Sequence, residues 1–364
     1  MSRRRAAAAA ILLLAAAGYG AYRFHGMGNH RAADAIAAKA RMAAWPGPRV
    51  ATAFALAAPG AQQVYLAGDM TGWEDNWIAM QRGSDGVWRI SVQLPSGQWL
   101  YKFIVDGKWI SDPANPLSDD DGRGGRHSFV LAGDGEWKVP AGAPRGVVKT
   151  FTAPSGTLTN LYLPPGYAAG KPYPLLVLLH GSSADANQWY RTGVVDRFMD
   201  GMIARGRIRP FIIVMPTSGD DYTGASEKEI IQQLLPQLQR DYGVRLRPVD
   251  TAVAGMSMGG FGAFYLAQRH PDLFGLAIPV SGAFRPRYLD SLPRPLKIPF
   301  QLQILCGSDD FLLSGNRALR DRLTADGAKF SYQESNGAHE WHYWNAQLPA
   351  VLTTADQYFQ TAPK

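Results

Sequence analysis

Apolar and polar positions follow two different rhythms along this chain, and the change falls near residue 148. In residues 49–133 they alternate in short runs, at 51–56, 63–68, 86–92, 99–105 and 127–131. Pro59-Gly60, Ser84-Asp85-Gly86, Pro95-Ser96-Gly97 and Asp106-Gly107 punctuate these runs. A period of two places alternate side chains on one face of a strand. Many short strands with turn residues between them predict an immunoglobulin-like β-sandwich over 49–133. The Gly-, Pro- and Ala-rich stretch 134–147 reads as a linker.

From residue 148 to 364 the apolar runs become continuous. They fall at 175–179, 211–215, 251–254, 276–280 and 302–306, with a further strand expected at 329–333. Helical segments are expected between them at 194–205, 227–242, 260–269 and 317–325. Strands apolar on both faces belong to a sheet covered on both sides, so this half predicts a doubly wound, mostly parallel α/β domain. Functional groups in such sheets gather at the carboxyl ends of the strands.

Composition changes this picture only at the N-terminus. The chain has 364 residues, long for one domain, and a formal net charge of +7. Residues 1–50 hold eight Lys or Arg and one acid, Asp34, which accounts for the whole excess. Everything after residue 50 is formally neutral, so the charge argues for no nucleic-acid partner. Arg3-Arg4-Arg5 followed by the uncharged apolar stretch 6–21 reads as a secretory signal peptide over 1–22. An uncleaved membrane anchor is the second reading, and the one membrane contact expected; a mitochondrial transit peptide is the third. Residues 23–48, Ala-rich, read as a helical spacer. The single cysteine, Cys306, permits no intramolecular disulfide and sits in an apolar run, where a thiol is an inert packing group.

The chemistry collects at strand ends. The run 251–254 leads into Gly255-Met256-Ser257-Met258-Gly259 and then a helical stretch. Strand, sharp turn and helix with Gly-x-Ser-x-Gly at the turn form a nucleophile elbow. Side chains at the flanking glycines would collide with the neighbouring strand and helix. After 302–306 come Asp309 and Asp310; after 329–333 comes His339. The order Ser, acid, His is that of α/β-hydrolases and differs from both common serine-protease orders. Ser257 is a weak nucleophile unless a base takes its proton. His339 supplies that base near neutral pH. The acid fixes its tautomer and stabilises the imidazolium, and spacing alone leaves Asp309 and Asp310 both open. The backbone N–H groups of Met258 and Ser182 are the expected oxyanion donors. His180 reads as a residue shaping the Ser182 loop, and His342 as an exposed or packing histidine. Trp189, Tyr190, Asp220, Asp221 and Tyr222 are loop residues that either line the pocket or serve ordinary packing and polarity. No cofactor or metal is implied.

Five stretches together resemble the esterase D / feruloyl esterase group of α/β-hydrolases, which includes enterochelin esterases and S-formylglutathione hydrolase. They are Leu161-Tyr162-Leu163-Pro164-Pro165-Gly166-Tyr167, Leu178-Leu179-His180-Gly181, Gly255 to Gly260, Cys306-Gly307-Ser308-Asp309-Asp310-Phe311-Leu312, and Gly337-Ala338-His339-Glu340-Trp341. The resemblance places the acid on Asp310, directly before Phe311-Leu312. The first half resembles the glycogen-binding sandwiches of isoamylases and AMP-activated kinase, through Val64 to Trp73 and Tyr101 to Pro113. It implies a sugar platform on Trp73, Trp109 and Lys102. Residues 122–127 lack the Leu and Asn that complete that site, and many such domains only pack against an enzyme. The resulting expectation is an exported serine carboxylesterase cleaving feruloyl or acetyl esters of plant cell-wall glycans. Its alternatives are an enterochelin-type siderophore esterase and a glycan-binding envelope protein with a degenerate hydrolase domain.

Overall fold

The computed structural model describes Met42, Trp45 and residues 47–361, apart from 74–76, 121–124 and 154. The leader and most of the spacer expected from the sequence, and part of the 122–127 segment, lie outside the described residues. The chain divides at Gly133 into two compact units.

The first unit is built from nine strands: β1 (Arg49–Ala57), β2 (Val64–Gly68), β3 (Ile78–Ala79), β4 (Gln81–Arg82), β5 (Val87–Pro95), β6 (Gly97–Val105), β7 (Lys108–Ile110), β8 (Ser118–Asp120) and β9 (Arg126–Ala132). They form two antiparallel sheets, β1-β5-β4 and β3-β2-β6-β9-β8 with β7 on β6. The alternation in β1 turns Phe54 and Leu56 inward, and across the sandwich they join Leu66, Tyr101 and Phe103 in one core. The rings of Phe54 and Tyr101 meet edge-on at 4.8 Å, tying the two sheets together. Burying each such side chain contributes about 1.5–3 kcal/mol. The strands of two or three residues carry no readable period, which is why the sequence pattern reveals only the five longer ones.

The second unit carries one eight-stranded sheet: β10 (Val147–Thr152), β11 (Leu158–Leu163), β12 (Leu175–Leu179), β13 (Ile212–Pro216), β14 (Thr251–Met256), β15 (Leu276–Val280), β16 (Gln301–Gly307) and β17 (Ser331–Ser335). Their order is β10-β11-β13-β12-β14-β15-β16-β17, antiparallel at the first two pairings and parallel beyond. β12 to β15 are buried at every position. Leu175, Val177 and Leu179 share a core with Phe264 and Leu266 of the helix Met258–Arg269. The intervening Leu176 and Leu178 are equally buried on the other face. Two helical features depart from the pattern. The expected helix 227–242 contains a π-turn, Ile230–Leu234, ending two residues before Pro236, whose missing N–H loosens the ladder there. The helix Trp341–Thr361 has no clean apolar stripe because Trp341, Tyr343, Trp344 and Leu348 are all buried, and it contains Pro349. Among the described residues no helix is long and apolar enough to cross a membrane.

Candidate functional site

Ser257 follows β14 and precedes the helix Met258–Arg269, with φ 56° and ψ −118°. A non-glycine residue in this region is strained, and the surroundings hold it there. Its N–H donates to the Val280 carbonyl at 3.0 Å, and its own carbonyl accepts from Ala283 at 2.9 Å and Phe261 at 3.1 Å. A Cβ on Gly259 would lie 2.4 Å from the Leu179 carbonyl oxygen, and one on Gly255 2.5 Å from that of Gly259. The elbow glycines are therefore required by close backbone approach.

Asp310 and His339 reach Ser257 from β16 and β17. These strands run parallel, and their following loops stay laced: the Ser308 N–H donates to Ser335 O at 2.8 Å, and the Asp309 N–H to Gly337 O at 2.9 Å. His339 Nε2 lies 3.0 Å from Ser257 Oγ, and His339 Nδ1 lies 2.9 Å from Asp310 Oδ2. All three residues are buried. The second carboxylate oxygen of Asp310 accepts the Leu312 N–H at 2.8 Å. Asp309 is exposed, so of the adjacent pair it is Asp310 that meets the imidazole. The His339 ring is fixed on both sides, with the Phe311 ring centroid at 4.4 Å and Trp344 edge-on at 4.8 Å. The aromatic contact from Trp344 lies on a helix the sequence pattern does not reveal.

Among the described residues the amides of Met258 and Ser182 have no hydrogen-bond partner. Met258 opens its helix, where the first N–H groups are free and the dipole favours negative charge. The Ser182 loop is held by several bonds. Gln188 Oε1 accepts the Gly181 N–H at 2.9 Å, Trp189 Nε1 donates to Leu179 O at 2.8 Å, and the Tyr222 hydroxyl donates to His180 O at 3.1 Å. Trp189 and Tyr222 are almost wholly buried in these roles, so of the two sequence readings they take packing. Asp220 accepts from the Ser218 hydroxyl and the Tyr222 and Ser226 N–H groups, ordering its own loop. Asp221 is exposed and Tyr190 half-buried. His342 is buried.

His180 is also buried, with both ring nitrogens engaged. Nδ1 lies 2.7 Å from Gly181 O and so donates; Nε2 accepts the Ser218 N–H at 2.8 Å. This arrangement needs a neutral ring, and burial pushes its pKa below the ordinary 6.5. A base whose folded pKa is depressed stabilises the fold fully above its unfolded value and loses that contribution as pH falls below it. We therefore expect the midpoint of thermal unfolding to drop between pH 7.5 and 5.5. In His180→Gln, which keeps an acceptor for Ser218 without a titrating ring, the drop should be smaller. An identical pH slope in both proteins would remove His180 as the cause.

In the first unit, Trp73 and Trp109 lie with centroids 6.5 Å apart and planes 27° from parallel. His127 packs on Trp73 at 4.4 Å, and Trp77 meets Trp109 edge-on at 5.7 Å. Trp109 is 42% exposed, high for an indole. Lys102 is half-buried on β6, in register with Ala67. Trp77 and His127 extend the aromatic surface beyond the residues singled out from sequence. Among the described residues no group of three or more His, Cys, Asp or Glu is placed to hold a metal ion.

Comparison with known proteins fits this geometry. Residues 155–305 match the Esterase family model, and residues 50–128 match that of the glycogen recognition site of AMP-activated protein kinase. An endo-1,4-β-xylanase/feruloyl esterase of Xylanibacter ruminicola is 26% identical over 333 residues, covering 81% of this chain and 43% of that protein. The chain thus spans less than half the length of the curated relatives it matches first. A ferulic acid esterase structure is 25% identical with TM-score 0.54, covering 59% of this chain and 99% of its own. An enterobactin esterase from Shigella flexneri shares the fold at TM-score 0.64 and 18% identity, over 86% of this chain and 97% of its own. The second unit has the α/β-hydrolase fold and is similar to esterases, and the first is a β-sandwich similar to the glycogen recognition site of AMP-activated protein kinase.

Proposed function

We propose that this protein is an exported serine carboxylesterase that cleaves feruloyl or acetyl esters of plant cell-wall glycans. The observation that carries the reading is the unbroken chain of contacts Ser257–His339–Asp310 at the carboxyl ends of β14, β16 and β17. Ser257 Oγ attacks the ester carbonyl while His339 Nε2 takes its proton. The negative oxygen of the tetrahedral intermediate is held by the Met258 and Ser182 amides. Asp310 stabilises the imidazolium, which then protonates the departing alcohol. Water, deprotonated by His339, attacks the acyl-enzyme, and Ser257 recovers its proton as the acid leaves. The xylanase/feruloyl esterase relative supports the acyl group and the glycan, and the basic, apolar N-terminus supports export. The Trp73–Trp109 surface supports sugar contact in the first unit, because aromatic faces stack on sugar rings.

The test is a substrate panel on the purified chain: methyl ferulate, acetylated xylan and a catechol trilactone. Turnover of either of the first two, with none of the trilactone, is expected. Turnover of the trilactone alone would move the assignment to siderophore cleavage. Sedimentation with insoluble xylan or starch tests the platform, and Trp109→Ala should reduce retention about tenfold, for a loss of about 1.4 kcal/mol of stacking.

A further inference from the structure

The nucleophile and the acid stand at the ends of β14 and β16, with β15 between them, and one side chain ties the loop after β15, which grips the Ser257 carbonyl, to the segment just after Asp310. Asn316, in the first turn of the helix Leu313–Ala325, is fully buried. Its Oδ1 accepts the Gly282 N–H at 3.2 Å, and its Nδ2 donates to Gly282 O at 2.9 Å and to Leu312 O at 2.9 Å. Gly282 precedes Ala283, whose N–H holds the Ser257 carbonyl. Leu312 donates its N–H to Asp310 Oδ1. Gly282 is also wedged against the elbow helix, since a Cβ on Gly260 would lie 2.9 Å from the Gly282 Cα.

We infer that Asn316 is a positioning residue that sets the separation of Ser257 and Asp310 across the end of β15, and with it the reach of His339. This rests on reading Ser257, His339 and Asp310 as the reacting groups. A hydrophobic residue would fill the space, but packing alone does not need an amide that uses its acceptor and donors on two loops. Burying such a group is tolerated only when it is fully bonded, and here every bond lands on a segment that holds a reacting residue. Releasing the bridge lets the Gly282 and Leu312 loops shift independently, and displacements on the order of 1 Å can cost about 10²-fold in rate.

The experiment compares the parent with Asn316→Ala and Asn316→Asp, the second keeping shape while turning the two donors into repelling acceptors. Active sites are counted with a fluorophosphonate probe, so unfolded molecules do not enter the rate. Hydrolysis of p-nitrophenyl acetate per counted site should fall about 10- to 100-fold, with KM within about twofold. The acid limb of the kcat/KM profile should move to lower pH as the carboxylate loosens from the imidazolium. A per-site kcat within about twofold of the parent and an unmoved acid limb, with only Tm lowered, would overturn the proposal and leave Asn316 a stability residue. Ser257→Ala run alongside separates the two ideas. Turnover in that variant refutes the nucleophile, whereas its inactivity beside unaffected Asn316 variants refutes the bridge alone.

Discussion

Ser257→Ala should lower kcat toward p-nitrophenyl acetate by roughly 10⁴–10⁶-fold while leaving the fold almost as stable as before. Both halves of this expectation come from the elbow. The hydroxyl is the atom that would form the covalent bond, so no neighbour can replace it; water in its place has no anchored Oγ to deprotonate. What remains is the oxyanion donors and substrate binding, which keep a residual acceleration over the uncatalysed reaction. The side chain itself makes one hydrogen bond, to His339 Nε2, and its loss costs about 1–2 kcal/mol. The strained backbone is unaffected, because it is held by Val280, Phe261 and Ala283 through main-chain bonds that alanine retains. Activity and unfolding midpoint should therefore part company: near-zero turnover with a Tm within a few degrees of the parent. An alanine variant that hydrolyses the ester at the parental rate would place the reaction at another residue.

Much of this site is legible before any coordinates, for a physical reason. A parallel sheet buried on both faces needs continuous apolar runs, and its carboxyl ends are where chemistry must gather. The positions of Ser257 and His339 relative to those runs therefore point at each other. The elbow is equally readable, because only glycine tolerates the approach of Leu179 O to residue 259. Other features leave no such mark. Asp309 and Asp310 differ only in which way the turn after β16 points them, which is a consequence of lacing to the Gly337 loop. Trp189 and Tyr222 sit at strand ends like pocket residues, yet their polar atoms are spent on the carbonyls of Leu179 and His180. Asn316 lies six residues past the acid on a helix whose pattern is otherwise ordinary, and only the fold places its amide between two loops. Trp77 and His127 join the aromatic surface of the first unit through sheet pairing and loop conformation, which a match to two tryptophans does not contain.

Asp310→Asn should reduce kcat by about 10⁴-fold, although the substitution is nearly isosteric. The reason is the direction in which the new amide must face. His339 Nδ1 faces both carboxylate oxygens of Asp310, 2.9 Å from Oδ2 and 3.0 Å from Oδ1, and Oδ1 also accepts the Leu312 N–H at 2.8 Å. In the asparagine variant the atom facing the Leu312 N–H has to be the oxygen, which leaves the amide nitrogen pointing at Nδ1. An N–H donor at the nearer position repels a proton on Nδ1 and favours the tautomer with the ring proton on Nε2, even though the amide oxygen stays within reach of Nδ1. Nε2 then meets Ser257 Oγ with a hydrogen where it needs a lone pair, and it can no longer take the proton of the nucleophile. The imidazolium formed during attack also loses its counter-charge in a buried setting, where that attraction counts most. Asp309→Asn is the matched control. Asp309 is exposed, and its N–H bond to Gly337 O survives the change, so kcat should stay within about twofold. Steady-state kinetics on both variants, with the folded fraction checked by circular dichroism and thermal unfolding, decides between the two acids. Equal losses at both positions, or a larger loss at Asp309, would mean that the loop after β16 delivers its charge to His339 differently in solution.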